Sequence, residues 1–175
     1  MCKSRPSVTV ALGIDPGIAI TGYGFVRMKD DGTLEAGKFG VILTPAGAPP
    51  QDRLLMLHRD LTRLMSSLRP DACAVEKLFF QRNVSTAISV GQARGVVMLA
   101  LAEAGVQFAE YTPNEVKQAV VGYGSAEKKQ VQEMVRVLLH LSQVPKPDDA
   151  ADALAVAITH LHTTRYGSTD GNVSI

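Results

Sequence analysis

From Val8 to Ile14 the chain is almost continuously apolar and rich in β-branched residues, the pattern of a strand buried on both faces. Gly17 and Gly22 bracket a turn, and Ile20 to Met28 predicts a second strand. Asp30-Asp31-Gly32 signals a hairpin into a third strand, Leu34 to Leu43. The Pro- and Gly-rich segment from Thr44 to Pro50 is a loop. Leu54, Leu57, Leu61, Leu64 and Leu68 then recur at helical spacing, so Gln51 to Leu68 reads as an amphipathic helix.

Arg69-Pro70-Asp71 stops that helix, and Ala72 to Phe79 predicts a fourth strand with Glu76 at its middle. Val84 to Ala104 is a long helix carrying Gly91, Ala93 and Gly95, small residues that permit close packing against another helix. Val106 to Tyr111 is a fifth strand. Asn114 is expected to cap a short helix to Val121, broken by Gly122-Tyr-Gly124. A further helix begins at Ser125 and reaches about His140, and Pro145-Lys-Pro147 leads into the last, Asp148 to about His162. The order β-β-β-α-β-α-β-α-α-α predicts an α/β fold with a mixed five-stranded sheet flanked by helices. Residues 1–166 form one expected domain, and the polar, Gly- and Ser-rich segment 167–175 an expected frayed tail.

Four carboxylates fall inside this pattern where carboxylates are costly. Asp15 ends the first apolar run, Glu76 interrupts the fourth strand, and Asp149 and Asp152 lie one turn apart among the alanines of the last helix. Burying a charge without a partner is strongly unfavourable, and no Lys or Arg recurs beside all three places. Divalent cations are the alternative partner. Paired Mg²⁺ or Mn²⁺ ions point to phosphodiester chemistry, with two ions per active site. Taken singly, Asp15 is also a plausible turn residue, Glu76 an edge-strand residue facing water, and Asp149 a group favouring the helix dipole. Asp148, in Pro-Asp-Asp, reads as a helix N-cap.

Composition changes this picture little. The 175 residues are 46% hydrophobic and 20% charged with a net charge of +1, ordinary for a globular chain. Any nucleic-acid surface must come from local clustering of charge. Cys2 and Cys73 have no metal-site spacing, and Cys73 reads as a small buried hydrophobe, consistent with a reducing cytoplasm. The four histidines, at 58, 140, 160 and 162, read as surface residues without zinc spacing. The apolar stretch before Asp15 is too short to span a membrane.

The residues that carry the chemistry also carry a resemblance. Gly13-Ile-Asp-Pro-Gly17, Thr21-Gly-Tyr-Gly24, Glu76 before Phe79, Gly91-Gln-Ala-Arg-Gly95, the run from Val116 to Lys128 and Asp149-Ala-Ala-Asp-Ala-Leu-Ala155 occur in this order. Together they resemble the RuvC family of Holliday-junction resolvases over residues 8 to 163. The resemblance implies an RNase H-like fold, a homodimer acting on four-way junction DNA, and metal-dependent cleavage in recombination and repair. It places the catalytic and metal-binding carboxylates on Asp15, Glu76, Asp149 and Asp152.

It also makes Phe79-Phe-Gln-Arg-Asn83 a junction-contacting loop. Phe79 matches the aromatic that stacks on a base, Phe80 is a second aromatic for a stacking or core role, and Arg82 and Asn83 are expected DNA contacts. Lys117 and Lys128 match DNA-contacting lysines. With Lys129 and Arg136 they form the densest basic stretch, suited to phosphates, which Arg82 and Arg94 are expected to extend. A branch-migration motor complex (RuvA/RuvB) is the implied partner. Two symmetric nicks need a C2 pair, and the helix from Val84 is the candidate interface, with intramolecular packing as the alternative use of its glycines. The Asp15-Pro-Gly17 and Thr21-Gly22 pattern also fits the phosphate hairpin of actin-like ATPases, but the chain is short for their duplicated domain. An RNase H-like nuclease acting on RNA is the enzymatic alternative, and a non-catalytic junction-binding module would not need four acids.

Overall fold

Ten elements alternate along the chain in this computed structural model, which describes residues 10–77 and 84–166. They are β1 (Val10–Asp15), β2 (Ile20–Met28), β3 (Leu34–Leu43), α1 (Pro50–Leu68), β4 (Ala72–Glu76), α2 (Val84–Glu103), β5 (Phe108–Tyr111), α3 (Pro113–Val121), α4 (Lys128–Leu138) and α5 (Asp148–Tyr166). The strands form one sheet in the order β3-β2-β1-β4-β5. The first three make an antiparallel meander, and β4 and β5 join in parallel beside β1. The mixed five-stranded, RNase H-like sheet expected from the sequence is the one the chain forms.

Alternation of side chains across the sheet divides the core into two layers. Leu12, Ile14, Cys73 and Val75 point to one face, where they meet Leu57, Leu61 and Leu64 of α1 and Val97 and Leu101 of α2. Ala11 and Ala74 point to the other face. There they meet Val116 of α3, Val131 and Val135 of α4, and Leu154, Ile158 and Leu161 of α5. Central strands covered on both faces explain the continuous apolar runs of β1 and β4.

Helix α5 is the pivot of the second layer. Ala150, Ala151 and every residue from Ala153 to Ile158 are at most 1% exposed, the behaviour of a helix apolar all round. It lies unusually close to the sheet, because glycines face it. A Cβ on Gly13 would stand 1.9 Å from the Ala153 carbonyl oxygen, and one on Gly24 2.7 Å from the Leu154 side chain. Small residues on both surfaces let backbone meet backbone.

Several boundaries differ from the sequence expectation. β4 ends at Glu76, so Glu76 stands at a strand terminus and not at mid-strand. The residue capping α3 is Thr112, not Asn114: its hydroxyl accepts from the Glu115 N–H (3.2 Å), while the Glu115 carboxylate accepts from the Thr112 N–H (2.7 Å). That reciprocal pair with Pro113 in the first turn outcompetes Asn114 as a start signal. Helix α4 starts at Lys128 because Glu127 and Gln130 form a similar reciprocal cap. Asp148 is the first residue of α5, paired with Lys146 at 3.1 Å.

The histidines are not all at the surface. His160 is 8% exposed, and its Nδ1 lies 2.9 Å from the Tyr111 hydroxyl; its place in the apolar middle of α5 overrides its polarity, and the hydroxyl satisfies the ring. Burial holds its pKa below the ordinary imidazole value. Cys73 is fully buried as expected, and burial pushes its thiol far up. Among the described residues no helix is long and apolar enough to cross a membrane.

Candidate acidic active site

The acids meet through strand register. β1 and β4 run in parallel with Ile14 opposite Val75, so the next residues, Asp15 and Glu76, leave neighbouring strands side by side. Ile14 and Val75 face α1 and α2. By alternation Asp15 and Glu76 therefore face the opposite layer, the one that contains α5. Strand ends at the carboxyl edge of an α/β sheet are common ligand sites.

Helix α5 delivers the other two carboxylates to the same edge. Asp15 pairs across to Gly22 of β2, and a Cβ on Gly22 would stand 2.0 Å from the Asp149 carbonyl oxygen. The first turn of α5 thus rests on the strand pair that ends in Asp15. Asp152, one turn on, shares the helix face of Asp149.

The electrostatics register this crowding. Asp15 is raised to about 7, first by burial and then by the charges of Glu76, Asp152 and Asp149. Burial and then Asp152 raise Glu76. Asp152 is raised mainly by burial, against a lowering hydrogen bond from Lys128. Three acids displaced in the same direction mark a site short of positive charge.

Part of that shortage is met by a lysine that local sequence does not place beside the acids. Lys128, the first residue of α4, donates from Nζ to Asp152 Oδ2 at 2.8 Å and lies 3.8 Å from Asp148 Oδ2. Its sequence distance of 24 residues from Asp152 hid the contact; packing of α4 beside α5 creates it. Among the described residues, no three His, Cys, Asp or Glu groups are gathered tightly enough to share one ion as they stand. The four acids occupy one edge without closing on one point, since like charges repel and Lys128 draws Asp152 to itself. The donor set is nonetheless all carboxylate, on two strand ends and one helix, and suits hard oxygen-seeking divalent ions.

The expected nucleic-acid contacts separate into three groups. Phe79, Phe80, Arg82 and Asn83 lie outside the described residues. Lys117 sits on α3, and Lys128 and Lys129 open α4. Two arginines of the expected basic surface are engaged elsewhere: Arg136, counted in the basic stretch, donates from Nε to Glu133 at 2.8 Å, and Arg94, expected to extend it, pairs with Glu110 of β5. Both arginines are neutralised by an acid that folding, or the next helical turn, places beside them. Sequence reading missed Gly22 as the seat of α5 and Lys128 as a partner of Asp152. Glycines at alternate positions 22 and 24, opposite an alanine-rich helix, were the available signal for the first.

Comparison with known proteins places these features in a family. The sequence profile of crossover junction endodeoxyribonuclease RuvC matches residues 11–160. The protein of that name from Chloroflexus aggregans is 57% identical over 153 residues, covering 87% of this chain and 93% of its own. That from Syntrophomonas wolfei is 55% identical over 157 residues, 90% of this chain and 91% of its own. Thermus thermophilus RuvC has a TM-score of 0.84 at 41% identity, over 90% of this chain and 96% of its own. T. thermophilus RuvC in complex with a Holliday junction substrate gives 0.84 at 37%, over 91% and 97%. The yeast mitochondrial Holliday junction resolvase, 14% identical with a TM-score of 0.71, shares the fold. With its profile matched from β1 into α5 and more than half its residues identical to those of relatives along most of its length, this chain belongs to the crossover junction endodeoxyribonuclease RuvC family.

Proposed function

We propose that this chain is one protomer of a homodimeric, structure-selective endonuclease that resolves four-way DNA junctions in homologous recombination and DNA repair. Residues 1–166 act as its single nuclease domain. The observation that supports it most is the alignment of Asp15 and Glu76 on adjacent strand ends, beneath Asp149 and Asp152 of α5. Asp15, Glu76, Asp149 and Asp152 would hold two Mg²⁺ or Mn²⁺ ions. Such ions, when bound, activate water and stabilise the leaving oxygen of the phosphodiester.

The chain's own contribution is placement. Asp15 and Glu76 are fixed by the sheet, so their carboxylates need little reordering to serve as ligands. Burial around Asp15 keeps competing water away and strengthens each charge interaction. Lys117, Lys128 and Lys129 on α3 and α4 offer positive charge to the DNA backbone. Phe79 and Phe80, in the segment after β4, supply the apolar surface for an unstacked base, flanked by Arg82 and Asn83.

A pair of chains supplies two nicks, and α2 supports the pairing. Ile88, Met98 and Leu99 are exposed, and a Cβ on Gly91 or Gly95 would meet no neighbouring atom within 4 Å among the described residues. Among the described residues nothing packs against these two positions, which favours the intermolecular use of the helix. We further propose that the dimer works in the cytoplasm beside a branch-migration motor complex (RuvA/RuvB).

A nicking assay on mobile four-way junctions, linear duplex and RNA–DNA hybrid in Mg²⁺ or Mn²⁺ tests the proposal. Symmetric nicks confined to the junction are expected. Asp15→Asn, Glu76→Gln and Asp152→Asn should each keep junction binding and lose about a hundredfold or more in rate, since each removes several kcal/mol of transition-state stabilisation. Preferential cutting of the hybrid would replace the junction with an RNA-containing substrate. Full cleavage by any acid variant would remove that residue from the site.

A further inference from the structure

We infer that Lys128 is a built-in counter-cation of the acidic site, which a divalent ion must displace, and that the displaced ammonium then becomes available to the DNA backbone. This inference rests on the proposed metal-dependent reading of the four acids. Its basis is the double engagement of one side chain: Nζ lies 2.8 Å from Asp152 and 3.8 Å from Asp148, while its field also reaches Asp15 and Glu76. Asp152 is one of the proposed ligands, so lysine and ion compete for the same oxygens.

The position of Lys128 in its helix supports an electrostatic purpose. A helix N-terminus carries partial positive charge and favours acids, yet after its N-cap Glu127 α4 opens with Lys128-Lys129 and has no acid in its first turn. Two cations placed against the dipole are a local cost that the Asp152 and Asp148 contacts offset. The lysine is also free to leave, because its side chain is 55% exposed and the Asp152 side chain only 30%. An exposed, flexible ammonium beside a half-buried carboxylate can swing out while the carboxylate stays.

The exchange couples two binding events. Without ions, Lys128 offsets repulsion among the acids and is partly withheld from phosphate. Once an ion takes the Asp152 oxygens, the ammonium keeps only its longer, 3.8 Å contact with Asp148 and is exposed to solvent at the mouth of the site. DNA and metal then favour one another, as reciprocal linkage requires. Lys117, on α3, is offered as the contrasting lysine that contacts phosphate without such an exchange.

Two measurements on the full-length protein decide the matter. In Mn²⁺ titration by calorimetry without DNA at pH 8, Lys128→Met should bind the ion up to about fivefold more tightly than wild type, the equivalent of an exposed ion pair. Lys117→Met should leave ion affinity unchanged. In the wild-type protein, the NMR resonance of the Lys128 ε-carbon should move towards that of a free lysine as Mg²⁺ is added. An unmoved resonance, or equal or weaker ion binding by Lys128→Met, overturns the exchange. Absence of ion binding in wild type and variant alike overturns the metal site as well, which separates the failure of the underlying reading from failure of the exchange alone.

Discussion

Gly22 and Asp149 are in backbone contact: a Cβ at Gly22 would stand 2.0 Å from the Asp149 carbonyl oxygen. That contact sets the height of α5 above the sheet and therefore the distance of two acids from the other two. Gly22→Ala is expected to push the first turn of α5 outward, destabilising the fold by about 1–3 kcal/mol, as overpacking does. Urea denaturation measures the loss, and Mn²⁺ titration should weaken in parallel. Unchanged ion affinity would mean that α5 settles elsewhere without moving its carboxylates.

The acid cluster predicts an unusual pH dependence. Asp15 is raised from 3.8 to about 7, mainly by burial. The folded state therefore binds more protons than the unfolded state across that window, and stability falls as pH rises through it. In the metal-free protein this contribution is greatest below the unfolded value and is lost by about pH 7. Asp15→Asn should flatten that part of the melting profile, and saturating Mn²⁺ should raise the melting temperature most near neutral pH by relieving the repulsion. A wild-type profile without that slope relative to Asp15→Asn would place Asp15 in a more solvated setting.

His160 acts in the opposite direction. Its folded pKa is lowered from 6.5 by burial, so the unfolded chain takes up the proton first and stability is lost as pH falls below 6.5. His160→Gln should remove that acid-side loss. It should also weaken the protein slightly at neutral pH, by about 1 kcal/mol, through disturbance of the Tyr111 hydrogen bond. Melting curves between pH 5 and 8 separate this effect from that of Asp15, because the two slopes have opposite sign.

The exposed stripe on α2 predicts assembly. Leu99 is 53% exposed, and Gly95 faces open space among the described residues. Leu99→Glu is expected to keep the monomer fold within about 0.5 kcal/mol, as surface substitutions do, and to shift dimer to monomer in sedimentation. Junction cleavage should then lose its paired character and yield single nicks. A dimer unaffected by Leu99→Glu would move the interface off α2.

Much of the fold is legible in the chain because its strands and amphipathic helices obey simple periods. Val8 to Ile14 reads as a doubly covered strand and the leucines from 54 to 68 as one helix face, since burial acts residue by residue on local pattern. The ends are less legible: Glu76 terminates β4, and Thr112 replaces Asn114 as a cap, because reciprocal hydrogen bonds decide where an element stops. His160 read as surface for the same reason that the contact of Lys128 with Asp152 was not legible. Their partners, Tyr111 and Asp152, lie 49 and 24 residues away.

By itself, the sequence determined the elements, the α/β class and the four acids, because local hydrophobic period and isolated charges in apolar runs are properties of neighbours along the chain. Only the tertiary structure decided that Asp15 and Glu76 share a sheet face and an edge, that Gly22 seats Asp149, and that Lys128 reaches Asp152. Those facts depend on strand register and on how closely a helix approaches a sheet, and both are set by contacts between residues distant in sequence.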